Sequence, residues 1–388
     1  MHNFISADWI FPITSNPIKD GVIELNLQGD IVQVLSKTEA LNLKVNIVKY
    51  NGAIVPGFIN THCHLELSHM LGQIPEKTGL VEFVQSVIKN RNADAEQISR
   101  AMEDADTQMQ KNGIVAVGDI ANQVISKEVK LKSKLHYYTF VEAMGFNPER
   151  ADAIMDYAKE IATAFNPLIS SVVPHAPYSV SPALLQLINE NAKKENAIIS
   201  IHNQETKSEN LFFKDKTGSF LDLYKFLQLD ISFFQPTGKT SIQSWLPFVN
   251  NQKILLVHNT EISKADIDFA KQTNNDLYWC LCPQANLYIE NTLPDVDLLI
   301  DEGLKITLGT DSLASNHQLN ILSEMKTLQQ YKKVDFEKLL KWATLNGAEF
   351  LSLDDKFGSI EVGKRPGLNL IQLSDDFIIG SDQVEKIN

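Results

Sequence analysis

The sequence predicts a (β/α)8 TIM barrel with a small β-sandwich built from both chain termini. Eight short apolar or β-branched runs alternate with longer segments of helical periodicity, the pattern of a parallel barrel with both faces of its strands covered. The first ~50 residues and the last segment leave this alternation and read as short strands between turn residues. Polar side chains collect at the C-terminal ends of the eight runs, the face on which barrels carry their sites.

The eight candidate strands are 53–60, 113–119, 135–143, 168–176, 197–202, 253–258, 277–282 and 305–311. Between them, stretches such as VEFVQSVIKNR and PALLQLINENAKKE place apolar residues at helical spacing. The early runs GVIELNLQ, IVQVLS and KVNIVKY suggest a small antiparallel sheet, and GSIEVGKRPGLNLIQLSD near the other end has the same character. A helical stretch, VDFEKLLKWATLNGAEFLSL, leads back to it. The expected domains are a sandwich of residues 1–52 plus 357–388 and a barrel of residues 53–356. A doubly wound open sheet fits less well, because its strand ends could not all converge.

With 388 residues, 44% of them hydrophobic, the chain can bury a large core without a disulfide framework. Its three cysteines, Cys63, Cys280 and Cys282, form neither a zinc-knuckle spacing nor a secreted pattern, which fits a reducing cytosol. There is no basic segment followed by an apolar run at the N-terminus, and no apolar stretch of membrane length, so a cytoplasmic protein without membrane association is expected. A formal charge of −13 argues against nucleic acid as a partner and leaves a small-molecule substrate.

Five of the nine histidines fall at predicted strand ends. The first strand ends in His62-Cys63-His64, and alternation turns both imidazoles to one side, where they can share a metal ion. His175, His202 and His258 end the fourth, fifth and sixth strands, and Asp311 ends the eighth. Imidazoles with a carboxylate suit zinc or ferrous iron. Cys63 should point away from the metal, Cys280 and Cys282 suit barrel packing, and Trp279, Phe212 and Phe213 suit the core or the wall of a planar substrate. Ser312 and His317 follow the last strand and could reach the pocket.

The run Val55-Pro56-Gly57-Phe58-Ile59-Asn60-Thr61-His62-Cys63-His64 resembles the first-strand signature of the amidohydrolase superfamily, and Gly309-Thr310-Asp311 reinforces the likeness. The resemblance implies a metal-dependent hydrolase with His62, His64, His202 and Asp311 as metal ligands, Asp311 also taking a proton from water, and His258 contacting the hydroxide. Binuclear relatives carry a carboxylated lysine after the fourth strand. LISSVVPHAPYSVS has none, so one divalent metal is implied, Zn2+ ahead of Fe2+. Glu205, three residues after His202, resembles the proton shuttle of the cytosine-deaminase-like members. His175, within Pro174-His175-Ala176-Pro177-Tyr178, resembles a substrate contact of the hydrolytic deaminase and chlorohydrolase branch. In Cys282-Pro283-Gln284-Ala285-Asn286, Ala285 replaces the branch's usual serine, which removes any hydrogen bond that serine would make. A shorter likeness, His64-Leu65-Glu66-Leu67-Ser68-His69 with Ile74-Pro75-Glu76-Lys77-Thr78-Gly79-Leu80, points to aminodeoxyfutalosine deaminases and implies Glu66 and His69 as substrate contacts.

The expected reaction is hydrolysis of a carbon–nitrogen bond other than a peptide bond, as deamination of an aminated heterocycle. The alternatives are a chlorohydrolase or cyclic amidohydrolase on the same site and, from another class, a catalytically silent barrel that binds a partner. Members of the branch often form dimers, so by analogy a homodimer is expected.

Overall fold

A computed structural model describes residues 2–41 and 43–387. The N-terminal segment forms β1 (Asn3–Ile10), β2 (Ile18–Lys19), β3 (Val22–Leu25), β4 (Ile31–Leu35) and β5 (Ile47–Pro56). The next eight strands are β6 (Phe58–Cys63), β7 (Ile114–Ala121), β8 (His136–Ala143), β9 (Ile169–Pro174), β10 (Ile199–Asn203), β11 (Lys253–His258), β12 (Asp276–Leu281) and β13 (Lys305–Leu308). The chain closes with β14 (Leu368–Ile371) and β15 (Glu385–Ile387).

Strands β6 to β9 form one four-stranded parallel sheet and β10 to β13 another, both in chain order. Hydrogen bonds cross both gaps between the sheets. The His202 N–H donates to the His175 carbonyl at 3.0 Å, and the Thr310 and Asp311 N–H groups donate to the His62 carbonyl at 3.0 and 3.1 Å. Parallel sheets alternating with helices are consistent with a TIM-barrel-like fold. No helix among the described residues is long and apolar enough to cross a membrane.

The first and last segments meet in one seven-stranded sheet, in the order β15-β14-β5-β1-β3-β4 with β2 beside β1. The expectation of an antiparallel sheet holds for β1–β3, β3–β4 and β5–β14, but β1 and β5 run parallel. The run 53–60 was expected as one strand and is two. β5 belongs to the terminal sheet and β6 begins the parallel set after Gly57, whose added Cβ would lie 2.6 Å from the Pro366 carbonyl oxygen. The stretch VDFEKLLKWATLNGAEFLSL is likewise two helices, Phe336–Ala343 and Leu345–Leu351, broken at Thr344.

The outer helices follow local rules. In Pro182–Glu195, Ser181 caps the Leu184 N–H, Pro182 occupies the first turn, and Asn196 ends the helix in the left-handed region. Its buried face, Leu184, Leu185, Ile188 and Ala192, recurs at helical spacing, and each large side chain contributes about 1.5–3 kcal/mol on burial.

One charge pair lies inside this apolar shell. Lys130 Nζ is 2.7 Å from Asp119 Oδ2, with both side chains fully buried, and donates to Thr139 Oγ1 at 3.0 Å. Asp119 Oδ1 accepts the Leu65 N–H at 2.7 Å, so the pair holds the turn that follows His64. Replacing one partner strands the other charge in the core. Lys130→Met is expected to destabilise the fold by about 3–5 kcal/mol in urea denaturation, whereas the double replacement with Asp119→Asn recovers part of the loss.

Candidate metal and catalytic site

The strand ends bring His62, His64, His202, His258 and Asp311 together. His62 Nε2 lies 3.1 Å from His64 Nε2, and His64 Nε2 lies 3.3 Å from His202 Nε2. Asp311 Oδ1 is 3.4 Å from His62 Nε2 and 3.2 Å from His64 Nε2. One ligand atom each from His62, His202, His258 and Asp311 falls within a mutual 4.8 Å. Donor atoms about 2.0–2.1 Å from a tetrahedral ion sit about 3.3 Å from one another, so this spacing fits a divalent cation. Nitrogen lone pairs turned towards one another in a buried space also call for a positive charge between them.

The surroundings orient these groups through their other atoms. His202 Nδ1 is 2.7 Å from the His175 carbonyl, and His258 Nδ1 is 2.9 Å from Asn286 Oδ1. Ser315 Oγ donates to Asp311 Oδ2 at 2.6 Å. His258 Nε2 is buried without a hydrogen-bond partner and faces Glu205 Oε1 at 3.6 Å. Four non-glycine residues here, Gln204, His258, Asn259 and Asp311, take left-handed φ values of 46°, 76°, 57° and 57°. Such strain collects where side chains must be aimed. Gly309 lets β13 close on β6, since a Cβ there would lie 2.8 Å from His62 Cβ.

Burial pushes His62 down to about 3 and holds His202 and His258 low as well, which leaves neutral imidazoles. Burial also works against charge on His64, but the Asp311 carboxylate outweighs it and the net shift is upward. Asp311 itself is held well below the usual carboxylate range, because its hydrogen bonds to His62 and His64 outweigh its burial. Glu205 goes the other way: burial, then the Asp311 charge, push it well above that range. Glu209 accepts the Gln204 and Glu205 N–H groups at 3.0 and 3.2 Å and fixes the turn that presents Glu205.

Above this cluster opens a cavity bordered by His64, His175, His202, Glu205, His258 and Asp311. His175 is fixed through Nδ1 by Ser179 Oγ at 2.8 Å, and Ser312 also reaches the cavity. Glu66 and His69 do not. They line a neighbouring cavity beyond Leu67 and Arg91, where Glu66 accepts the Asn122 and Gln123 N–H groups and His69 Nε2 is 2.9 Å from the Arg91 carbonyl. Burial raises Glu66 to about 7. His317 also lies elsewhere, paired with Glu76 at 3.2 Å beside an outer cleft. Trp279, Phe212 and Phe213 are core residues, and Cys63, Cys280 and Cys282 are buried free thiols.

Sequence reasoning missed Glu142, Asn122 and Arg91, which line the cavity. Glu142 is the penultimate residue of β8; its Oε2 accepts from Asn122 Nδ2 at 3.0 Å, while its Oε1 is buried without a hydrogen bond, 3.5 Å from His202 Nδ1. The available signal was positional: Glu142 stands one residue before the end of the third parallel strand and Asn122 just past the end of the second.

Residues 53–386 match the model of the amidohydrolase family, and the chain belongs to that family. It is 26% identical over 334 residues to an adenosine deaminase of Helicobacter pylori, covering 84% of this chain and 80% of that protein. It is also 26% identical over 378 residues to a 5-methylthioadenosine/S-adenosylhomocysteine deaminase of Clostridium tetani, covering 92% and 81%. Among solved structures, the aminofutalosine deaminase of Helicobacter pylori bound to methylthio-coformycin superposes with a TM-score of 0.82 at 23% identity, over 98% of this chain and 94% of that one. The chain is therefore a hydrolase of the deaminase-containing part of the family.

The opposing shifts of His64 and Asp311 are open to measurement. In metal-free protein, Asp311→Asn should lower the His64 pKa, because burial then acts without the carboxylate that outweighs it. Nitrogen-15 NMR titration checks this; an unchanged His64 would mean that another group holds its proton.

Proposed function

We propose that the protein catalyses hydrolytic deamination of an aminated, purine nucleoside-like substrate, using one divalent ion held by His62, His64, His202 and Asp311. The observation that carries the reading is the Glu205 carboxyl 3.6 Å from the unpartnered His258 Nε2, beside four donors at metal-ligand spacing. A bound ion supplies a water nucleophile whose pKa is lowered towards neutrality. Three imidazoles and a carboxylate suit zinc ahead of ferrous iron.

The chain's own groups then divide the work. Glu205, whose hold on a proton burial and then the Asp311 charge strengthen, donates its proton to a ring nitrogen and makes the adjacent carbon electrophilic. Asp311, kept ionised, accepts a proton from the attacking water. His258, locked by Asn286, orients that water through Nε2. Glu205, now a carboxylate, takes the proton left on the added oxygen and passes it to the amino nitrogen, which leaves as ammonia, while the proton held by Asp311 returns to Glu205, so one water enters, one ammonia departs and the ring keeps an oxo group. His175 borders the substrate. Glu66 and His69 serve it from behind, by holding the loop and the helix end that wall the cavity.

The hydrogen bonds across both sheet gaps support a closed eight-stranded ring, residues 53–356, beside a terminal β-sandwich domain of residues 1–52 plus 357–388, into which β5 continues. A small-molecule substrate, a cytoplasmic location and, by analogy with the branch, a homodimer complete the reading. Relatives named as deaminases do not favour a chlorohydrolase, a cyclic amidohydrolase or a catalytically silent barrel.

Two substitutions test the roles separately. Glu205→Gln should lower ammonia release from aminopurine nucleosides by about 10²–10⁴-fold while the bound metal is retained; near-full turnover would remove Glu205 from the chemistry. Ser315→Ala, which frees Asp311 Oδ2, should weaken metal affinity by about 10–100-fold in chelator competition, with thermal stability of the metal-free protein little changed.

A further inference from the structure

The helix Ile321–Lys332 follows the loop after β13 and carries Glu324 in its first turn, fully buried. The carboxyl accepts hydrogen bonds from two different strand-end loops. Oε2 takes the Gln284 N–H at 2.9 Å, and Oε1 takes Asn316 Nδ2 at 2.8 Å. Ser323 repeats the grip one residue earlier, where its Oγ accepts Gln284 Nε2 at 2.5 Å and Gln318 Nε2 at 3.0 Å.

Each loop leads to a group assigned above to the attacking water. Gln284 belongs to the helix Pro283–Ile289, and two residues further on Asn286 Oδ1 is 2.9 Å from His258 Nδ1. Asn316 Nδ2 also donates to the Thr310 carbonyl at 2.9 Å, in the peptide that enters Asp311. Asn60 holds the rest of Thr310: its Oδ1 accepts the N–H at 3.1 Å, and its Nδ2 donates to Oγ1 at 2.8 Å. With its polar groups engaged in this way, Thr310 passes a shift of Asn316 on to Asp311, whose φ of 57° lies in a small allowed region.

A carboxyl is a costly bridge between two loops. No cation stands beside Glu324 among the described residues, and burial pushes it up to about 8. An apolar side chain would pack there without that cost. What the carboxyl adds is two acceptors at a fixed separation, aimed at donors that follow different strands. An amide offers one acceptor and turns its own N–H groups on the other donor.

We infer that Glu324 is a positioning residue for the hydrolysis, setting Asp311 against His258 by tying the loop after β13 to the loop after β12. The inference rests on the roles proposed above for those two side chains. The plain alternative is a helix anchored to its neighbours, whose loss would lower stability and nothing else.

Three variants separate the two. Glu324→Gln keeps the shape and breaks one of the two bonds. Asn316→Ala cuts the link to Thr310 and leaves Glu324 in place. Gln329→Ala is the control on the same helix, because Gln329 bonds the Phe377 carbonyl at 3.0 Å and the Ile379 N–H at 2.8 Å, away from both loops. Thermal unfolding, metal affinity by chelator competition and ammonia release from aminopurine nucleosides are measured on each. Glu324→Gln and Asn316→Ala should each lower kcat about 10- to 100-fold with KM little changed, and weaken metal binding about tenfold, since Asp311 is displaced. Gln329→Ala should lower the unfolding temperature and leave kcat and metal affinity at wild-type levels. Wild-type kcat and metal affinity in Glu324→Gln overturn the inference, as do equal losses in Gln329→Ala. If Glu324→Gln does not fold, Asn316→Ala decides by the same readings. Chelator competition needs no substrate, so a wild type without ammonia release, whose metal binding still weakens in both variants, overturns the deaminase reading and leaves the positioning of Asp311 standing.

Discussion

The structure depends on a repulsion that something must neutralise. Three imidazole nitrogens and a carboxylate oxygen converge to 3.1–3.4 Å in a largely buried space at the floor of the cavity, and the opposing shifts of His64 and Asp311 ease this in part. Holding them there requires β6 and β13 to meet, which the Thr310 and Asp311 amides do by donating to the His62 carbonyl. It also requires Asp311 and His258 to adopt left-handed backbone, a cost of order 1–3 kcal/mol each that the surrounding register must offset. A divalent ion would relieve the repulsion and make the strain intelligible, because the same geometry would then stabilise a ligand.

Two carboxylates within this space are driven apart by their settings. Asp311 hydrogen-bonds to imidazoles and is held well below the usual carboxylate range; Glu205 is buried near that negative charge and is pushed well above it. The opposite shifts follow from environment and not from residue type. Outer contacts preserve the separation: Ser315 on Asp311, Asn286 on His258, and the Glu209 carboxylate under the Gln204–Glu205 turn. The buried Lys130–Asp119 pair extends the same control to the loop after His64.

Much of this was legible in the amino-acid sequence because alternation and strand-end placement are local signals. The H-x-H pair, His202, His258 and Asp311 could be found by noting where apolar runs stop, and the strand 253–258 and the helix 182–195 coincide with their expected bounds. What was not legible depends on distance in the chain. The run 53–60 looks like one strand because both sheets want apolar residues; only the Pro366 carbonyl against Gly57 shows where it changes sheet. The parallel pairing of β1 with β5 is invisible for the same reason. Glu66 and His69 share a loop with His64, yet a short 3-10 turn over Leu65–Met70 sends them behind Leu67 and Arg91. Glu142 and Arg91 have ordinary sequence surroundings and acquire meaning only from the cavity they face.

One cation held by four named ligands is tested by anomalous scattering from crystals of metal-replete protein at the absorption edge of the bound metal. A single strong peak is expected about 2.0–2.2 Å from His62 Nε2, His64 Nε2, His202 Nε2 and Asp311 Oδ1. A fully loaded crystal with no peak there, or with its peak bonded to a different set of side chains, would contradict it.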